Sequence, residues 1–171
     1  GLEMGTPFLN SVVKVFDRTH TIRHLRSTIF RSASLADGAD GFLSRRSPKF
    51  RNNLRRATRL AQERGVHFEN VRPLSIPEAD HAYERMLSIE RQSWKGIEKC
   101  GMAESPSREF YGLIFRRLAE AGLARAIFAT ADGKDIGFVM GGIDGTNYRG
   151  QQFSFVHEWG RESIGNLLQW E

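Results

Sequence analysis

Three apolar stretches in the last third of the chain constrain its fold more than any other feature. ARAIFAT (124–130), IGFVMGGI (136–143) and YRGQQFSFVHE (148–158) follow one another with only ADGKD and DGTN between them. Asp-Gly pairs in such short connections select hairpin turns, because glycine takes a positive φ without steric cost. Strands joined by hairpins pair antiparallel, so residues 124–158 predict a three-strand meander. An apolar sheet face must be covered, and the residues before the meander supply helices to do it.

The clearest helix is SPKFRNNLRRATRLAQERG, from Ser47 to Gly65. Ser47 is a good N-cap, Pro48 suits the first helical position and Gly65 suits the stop. Phe50, Leu54, Ala57 and Ala61 recur at three-to-four spacing, with Leu60 beside them. VHFENVR (66–72) reads as a strand. Pro77 opens a second helix over 77–96, whose apolar face holds Ala79, Tyr83, Met86, Leu87, Ile89, Glu90 and Trp94. A loop, IEKCGMAESPSR, precedes a third helix from Ser105, with Phe110, Leu113, Ile114, Leu118 and Ala121 as its apolar face and Gly122 as its end. Further upstream, FLNSVVKVF reads as a strand or a short helix, HLRSTIFRSASL as a strand, and ADGADG as a break. The opening GLEMGT reads as a tag remnant or an arbitrary cut. Helices separated from a meander predict an α/β (α+β) sandwich, a largely antiparallel sheet flanked by helices.

With 171 residues and 40% hydrophobic content the chain has the composition of a globular domain. It lacks the apolar run a transmembrane helix needs and the h-region of a secretory leader. A single cysteine, Cys100, excludes an internal disulfide and a Cys-rich zinc site, and a cytoplasmic location is expected. The net charge of +5 favours an anionic partner without naming one. Of the five histidines only His20 and His24 stand at ligand spacing, and no metal site is expected.

The chemistry concentrates at the end of the chain, GQQFSFVHEWGRESIGNLLQWE (150–171). Phe153, Phe155, His157 and Trp159 alternate along a strand that runs into Gly160, Arg161, Ser163, Gly165 and Asn166 and then an apolar helix start. Unpaired N–H groups and a partial positive charge make a helix start an anion cradle, and Arg161 adds a full charge. An ordinary strand–helix connection, with Ser163 as N-cap, accounts for the same residues. The arginine-rich helix has the same two readings. Arg51, Arg55 and Arg59 lie in an i, i+4, i+8 line with Lys49 nearby, either as a solvated face or as a contact for RNA phosphates, a CoA phosphate or an acidic glycan.

KFRNNLRRATRLAQERGVHFE, IERQSWKG with REFYGLIFRRLAEAG, ADGKDIGFVMGGIDG and EWGRESIGNLLQWE together resemble the GNAT acyltransferase superfamily over roughly residues 42–171. Within it the pattern is similar to the branch holding Fem-type aminoacyl transferases and the bacterial exopolysaccharide- or cellulose-associated acetyltransferases. The resemblance implies residues 1–41 as the end of a preceding domain and 42–171 as an acyltransferase domain whose C-terminal strands are missing. A second copy swapping in the missing surface would make it a homodimer. It implies acetyl-CoA or another acyl-CoA as co-substrate, along Gln152, Phe153, Ser154, Phe155 and Val156 and over Gly160, Arg161, Ser163, Ile164, Gly165 and Asn166. Glu158, with His157 beside it, is the implied base for an amine or hydroxyl acceptor, a small molecule or a glycan. By its place on the apolar helical face Trp94 is expected to pack in the core, while the resemblance implies that its W-K-G setting borders the acceptor site. The family's cradle runs Gln or Arg, two residues, Gly, one residue, Gly or Ala; here Arg161 is followed by ESIGNL, one residue longer and without the second glycine. An aminoacyl-tRNA donor, or a domain that only binds an anionic polymer, are the alternatives.

Overall fold

The structure, a computed structural model, describes residues 5–22 and 32–171. The chain divides into two units, Gly1–Ser44 and Arg45–Glu171. In the first, α1 (Pro7–Phe16) starts at Thr6, whose hydroxyl accepts from the Leu9 N–H, with Pro7 at the first position. The stretch 8–16 is therefore a helix and not a strand; a side-chain cap and an N-terminal proline both favour helix there. ADGADG does not simply break the pattern, because α2 (Gly38–Ser44) begins inside it. The strand expected over 24–35 lies mostly outside the described residues, and 32–35 form no regular element.

The second unit is a four-strand antiparallel sheet flanked by helices: α3 (Pro48–Glu63), β1 (His67–Val71), α4 (Ile76–Arg91), α5 (Trp94–Ile97), α6 (Ser107–Glu120), β2 (Ala124–Ala131), β3 (Lys134–Asp144), β4 (Asn147–Phe155), a 3-10 helix (His157–Glu162) and α7 (Ile164–Trp170). The strands lie in the order β1-β2-β3-β4, every pair antiparallel. The β2–β3 hairpin turns at Asp132 (φ 50°) and Gly133 (φ 71°), two consecutive left-handed residues as a primed turn requires. Ser47 accepts from the Phe50 N–H at the start of α3, and Gly65 lies beyond its end at φ 65°.

Each face of the sheet has its own core. Ala126, Phe128, Phe138 and Met140 pack under α4 and α6, with Met86, Leu87, Ile89, Phe115 and Ala119. Ala129, Ala131, Ile136 and Val139 pack under α3 and α7, with Ala57, Ala61, Ile164, Leu167 and Leu168. Two bulges adjust the alternation. Ile136 is the extra residue of β3, between the pairs Ala129–Gly137 and Thr130–Asp135. Gln151 is the extra residue of β4, between Met140–Gln152 and Gly141–Gly150.

Three expected elements shift. The helix over 77–96 ends at Arg91, and Ser93 caps the separate α5 by accepting from the Gly96 N–H at 3.3 Å. The third helix begins at Ser107 and turns a different face inward: Phe115 and Ala119 are buried, whereas Phe110 and Leu113 are exposed. The last strand stops at Phe155, and His157 and Glu158 belong to the 3-10 helix.

Candidate functional site

The register of β4 decides which of its backbone groups are available. Val156 donates to the Ile136 carbonyl, and antiparallel pairing alternates, so Phe138–Ser154 and Met140–Gln152 are the next hydrogen-bonded pairs. Phe153 and Phe155 face β3 in the pairs between, and their own N–H and C=O groups therefore point to the outer edge. The rings of Phe153 and Phe155 lie on the α7 side, where a methyl on Gly165 would stand 3.3 and 3.0 Å from them. Ser154 is buried on the opposite face.

Beyond Phe155 the chain winds through the 3-10 helix before α7 starts. The tight glycine turn expected between strand and helix is thus a longer connection, and its left-handed residue is Ser163 (φ 58°, ψ 28°). Ser163 occupies the N-cap position without a side-chain cap bond. Its carbonyl receives the Asn166 and Leu167 N–H groups, which leaves the first-turn N–H groups of Ile164 and Gly165 without a helical partner. Gly165 is there for packing, since any side chain would strike Phe153 and Phe155; at Gly160 only a Phe155 ring atom, at 3.8 Å, lies within reach. Arg161 and Asn166 are exposed. His157 and Glu158 are exposed as well, and no longer share a strand face with Phe153; the His157 N–H donates to the Gln92 carbonyl at 3.0 Å.

Arg64, at the end of α3, fastens this connection. Its guanidinium pairs with Glu162 and lies 4.1 Å from the centroid of the Trp159 ring. Nothing in the spacing of the arginines singled it out. The arginines that did stand in line have local partners: Arg51 donates to the Arg46 carbonyl, Arg55 to Asn52 Oδ1 at 3.1 Å, and Arg59 pairs with Glu63 at 3.6 Å. Lys49, Arg55 and Arg59 are exposed.

On the other side of β4, Trp94 is 50% exposed, so its expected place in the core is overturned. Trp94 opens a separate helix capped by Ser93, so it no longer continues the α4 stripe. Lys95, next to it, is drawn inward. Its Nζ donates to the Phe153 carbonyl at 2.9 Å and stands 3.4 Å from Glu90 Oε1. Glu90 is fully buried, and its carboxylate also accepts from the Met102 N–H at 2.9 Å, while Ser93 Oγ donates to the Glu90 backbone carbonyl at 2.8 Å and lies 3.4 Å from the carboxylate. A carboxylate on a predicted apolar face was the sequence signal for this cluster, which periodicity alone does not interpret.

Among the described residues no three His, Cys, Asp or Glu side chains stand together as metal ligands would, and His24 lies outside those residues. Cys100 is exposed. No described helix is long and apolar enough to cross a membrane. A cavity of about 480 Å³ opens between α3, β1 and α7, lined by Gln62, His67, Phe68 and Leu167 among others.

Residues 48–171 match the family model described as Acetyltransferase (GNAT) domain. No curated protein matches the chain significantly. Solved structures that resemble it include one from Desulfovibrio desulfuricans described as an acetyltransferase of the GNAT family (13% identity, TM-score 0.41, covering 61% of this chain and 61% of that one). PaiA N-acetyltransferase from Thermoplasma acidophilum in complex with coenzyme A matches at 22% identity and TM-score 0.36, over 60% of this chain and 67% of that one. Ribosomal-protein-alanine N-acetyltransferase from Brucella melitensis biovar Abortus matches at 16% identity and TM-score 0.37, over 61% and 67%. The chain thus spans about 61% of the length of the first of these.

Proposed function

This chain belongs to the acetyltransferase (GNAT) family, and from that premise we propose that it moves an acetyl group from acetyl-CoA to an amine or hydroxyl acceptor. The observation that carries the reading is the continuity of β4 with the segment after it. The outward backbone groups of Phe153 and Phe155 run into Gly160–Asn166, where first-turn N–H groups and Arg161 favour negative charge. The donor's amide arm pairs along the strand edge, and its pyrophosphate lies toward Arg161 and the start of α7. Glu162 would repel a phosphate there, but Arg64 already neutralises it.

Glu158 serves as the base. It takes the proton of the acceptor ammonium, the freed amine attacks the thioester carbonyl, and collapse of the tetrahedral intermediate breaks the C–S bond and expels the CoA thiolate, which takes up the second proton shed by the amine nitrogen. The exposed Trp94 offers a flat wall for the acceptor; a small molecule or glycan that carries an amine is the class we favour.

The test is a thermal-shift titration with CoA and acetyl-CoA, with ATP as the anion control. A saturable rise specific to the CoA ligands supports the reading; no rise, or an equal rise with ATP, refutes it and makes aminoacyl-tRNA the next donor to assay. Gly165 is unsuitable for mutation because it packs on two aromatic rings. Asn166→Asp is better: an acid at the third helical position stabilises the helix but repels a phosphate. The ligand-free melting temperature should hold or rise while CoA affinity falls about tenfold or more, and Arg161→Ala should weaken CoA without affecting folding.

A further inference from the structure

We propose that Lys95 is a positioning residue that fixes the outer edge of β4 in the one arrangement the acyl donor's arm can pair with; this rests on the donor reading above. The edge has few outward polar groups. Of those on Phe153 and Phe155, the Phe153 carbonyl is taken by Lys95 Nζ at 2.9 Å. An arm lying along β4 therefore pairs with the groups that remain, toward Phe155 and the Gly160–Asn166 segment, and cannot slip one residue pair back.

The way Lys95 is held supports a role beyond stability. Its partner Glu90 has no exposed surface, and its own side chain is 19% exposed. Burying such a pair costs both charges their hydration, and apolar residues of the same volume often hold a fold equally well. Here the pair sits where α4, α5 and the loop at Met102 meet, and its cation reaches across to a strand-edge carbonyl. Glu90 Oε1 also accepts from the Met102 N–H at 2.9 Å, so the carboxylate that aims the lysine is itself fixed. The His157 N–H to Gln92 carbonyl bond ties the same corner to the end of β4.

Calorimetric titration of the wild-type chain, Lys95→Met, Lys95→Arg and the neutral pair Glu90→Gln/Lys95→Met tests this with two ligands. CoA carries the arm; adenosine 3′,5′-bisphosphate carries the phosphates without it. Lys95→Met should weaken CoA about tenfold, as expected when a loosened edge keeps the pairing arrangement only about a tenth of the time, and leave the nucleotide unchanged, with Lys95→Arg restoring part of the loss. If Lys95→Met weakens both ligands by disturbing the fold, the neutral pair decides: recovery of the nucleotide but not of CoA supports the proposal, and equal losses for both overturn it. CoA binding that is unchanged in every variant overturns it as well and leaves the donor reading intact. A wild-type chain that binds the nucleotide but gains nothing from the arm overturns both.

Discussion

Gly101→Ala tests whether Glu90 is as firmly held as its contacts imply. Gly101 is buried, and a methyl group there would stand 2.2 Å from Glu90 Oε1, 2.9 Å from its Cδ and 3.1 Å from Lys95 Cβ. The end of a long side chain usually swings aside at little cost. This one cannot, because moving Oε1 stretches its 2.9 Å bond from the Met102 N–H and its 3.4 Å pairing with Lys95. Two ways of relieving the clash have similar magnitudes. Giving up a hydrogen bond to a charged group costs about 1.5–3 kcal/mol, and keeping it while the backbone yields costs about 1–3 kcal/mol of overpacking. They are alternatives and do not add, so we expect a loss of about 2–3 kcal/mol, lowering the melting temperature by roughly 4–12 °C for a chain of this size. Urea denaturation followed by circular dichroism measures the change, with an unaltered m-value showing that compactness is preserved. Gly150→Ala is the control: the nearest atom to its methyl is Tyr148 Cε1 at 3.8 Å, and its effect should stay within about 0.5 kcal/mol. A Gly101→Ala protein as stable as that control would refute the account of the Glu90 cluster.

Two further predictions concern the α4–α6 face. Phe115→Ala should cost about 3–5 kcal/mol, whereas Phe110→Ser and Leu113→Ser should each stay within about 0.5 kcal/mol in the same urea assay; the reverse order would restore the face expected from periodicity. Burial pushes the Tyr83 phenol up from 10.0 to about 12, with its Oη donating to the Arg108 carbonyl at 2.7 Å. The folded chain keeps this proton at pH values where the unfolded chain has lost it. The contribution is therefore complete below pH 10 and is lost as pH rises from there toward 12, with a slope approaching about 1.4 kcal/mol per pH unit that Tyr83→Phe should flatten.

The parts of the fold legible in the sequence are those dictated by backbone chemistry. Asp132-Gly133 sets the β2–β3 turn, and Ser47, Pro48 and Gly65 bound α3 to within a residue or two. Periodicity was a weaker guide. On α6, the stripe through Phe110 and Leu113 is as regular as the buried one through Phe115 and Ala119, and only the partner element chooses between them. Trp94 extended the spacing of α4 well enough to hide the Ser93 cap that begins a new helix. At the site, the order strand–connection–helix was visible, but the 3-10 helix was not, because HEWGRE has no glycine or proline signal that separates it from a strand end followed by a turn.

Ion pairs, which depend on long-range packing, were the least legible, and they sort the acids around β4. Arg64 occupies Glu162 on the α3 side, and Lys95 occupies Glu90 on the α4 side. Both acids are thereby spent on holding the connection and the strand edge in place. Glu158 remains, exposed and, among the described residues, in none of the ion pairs formed here. A general base must meet its substrate's proton directly or through one water. Glu90 has no exposed surface and Glu162 holds a guanidinium, so neither meets that condition, whereas Glu158, the base proposed above, is exposed.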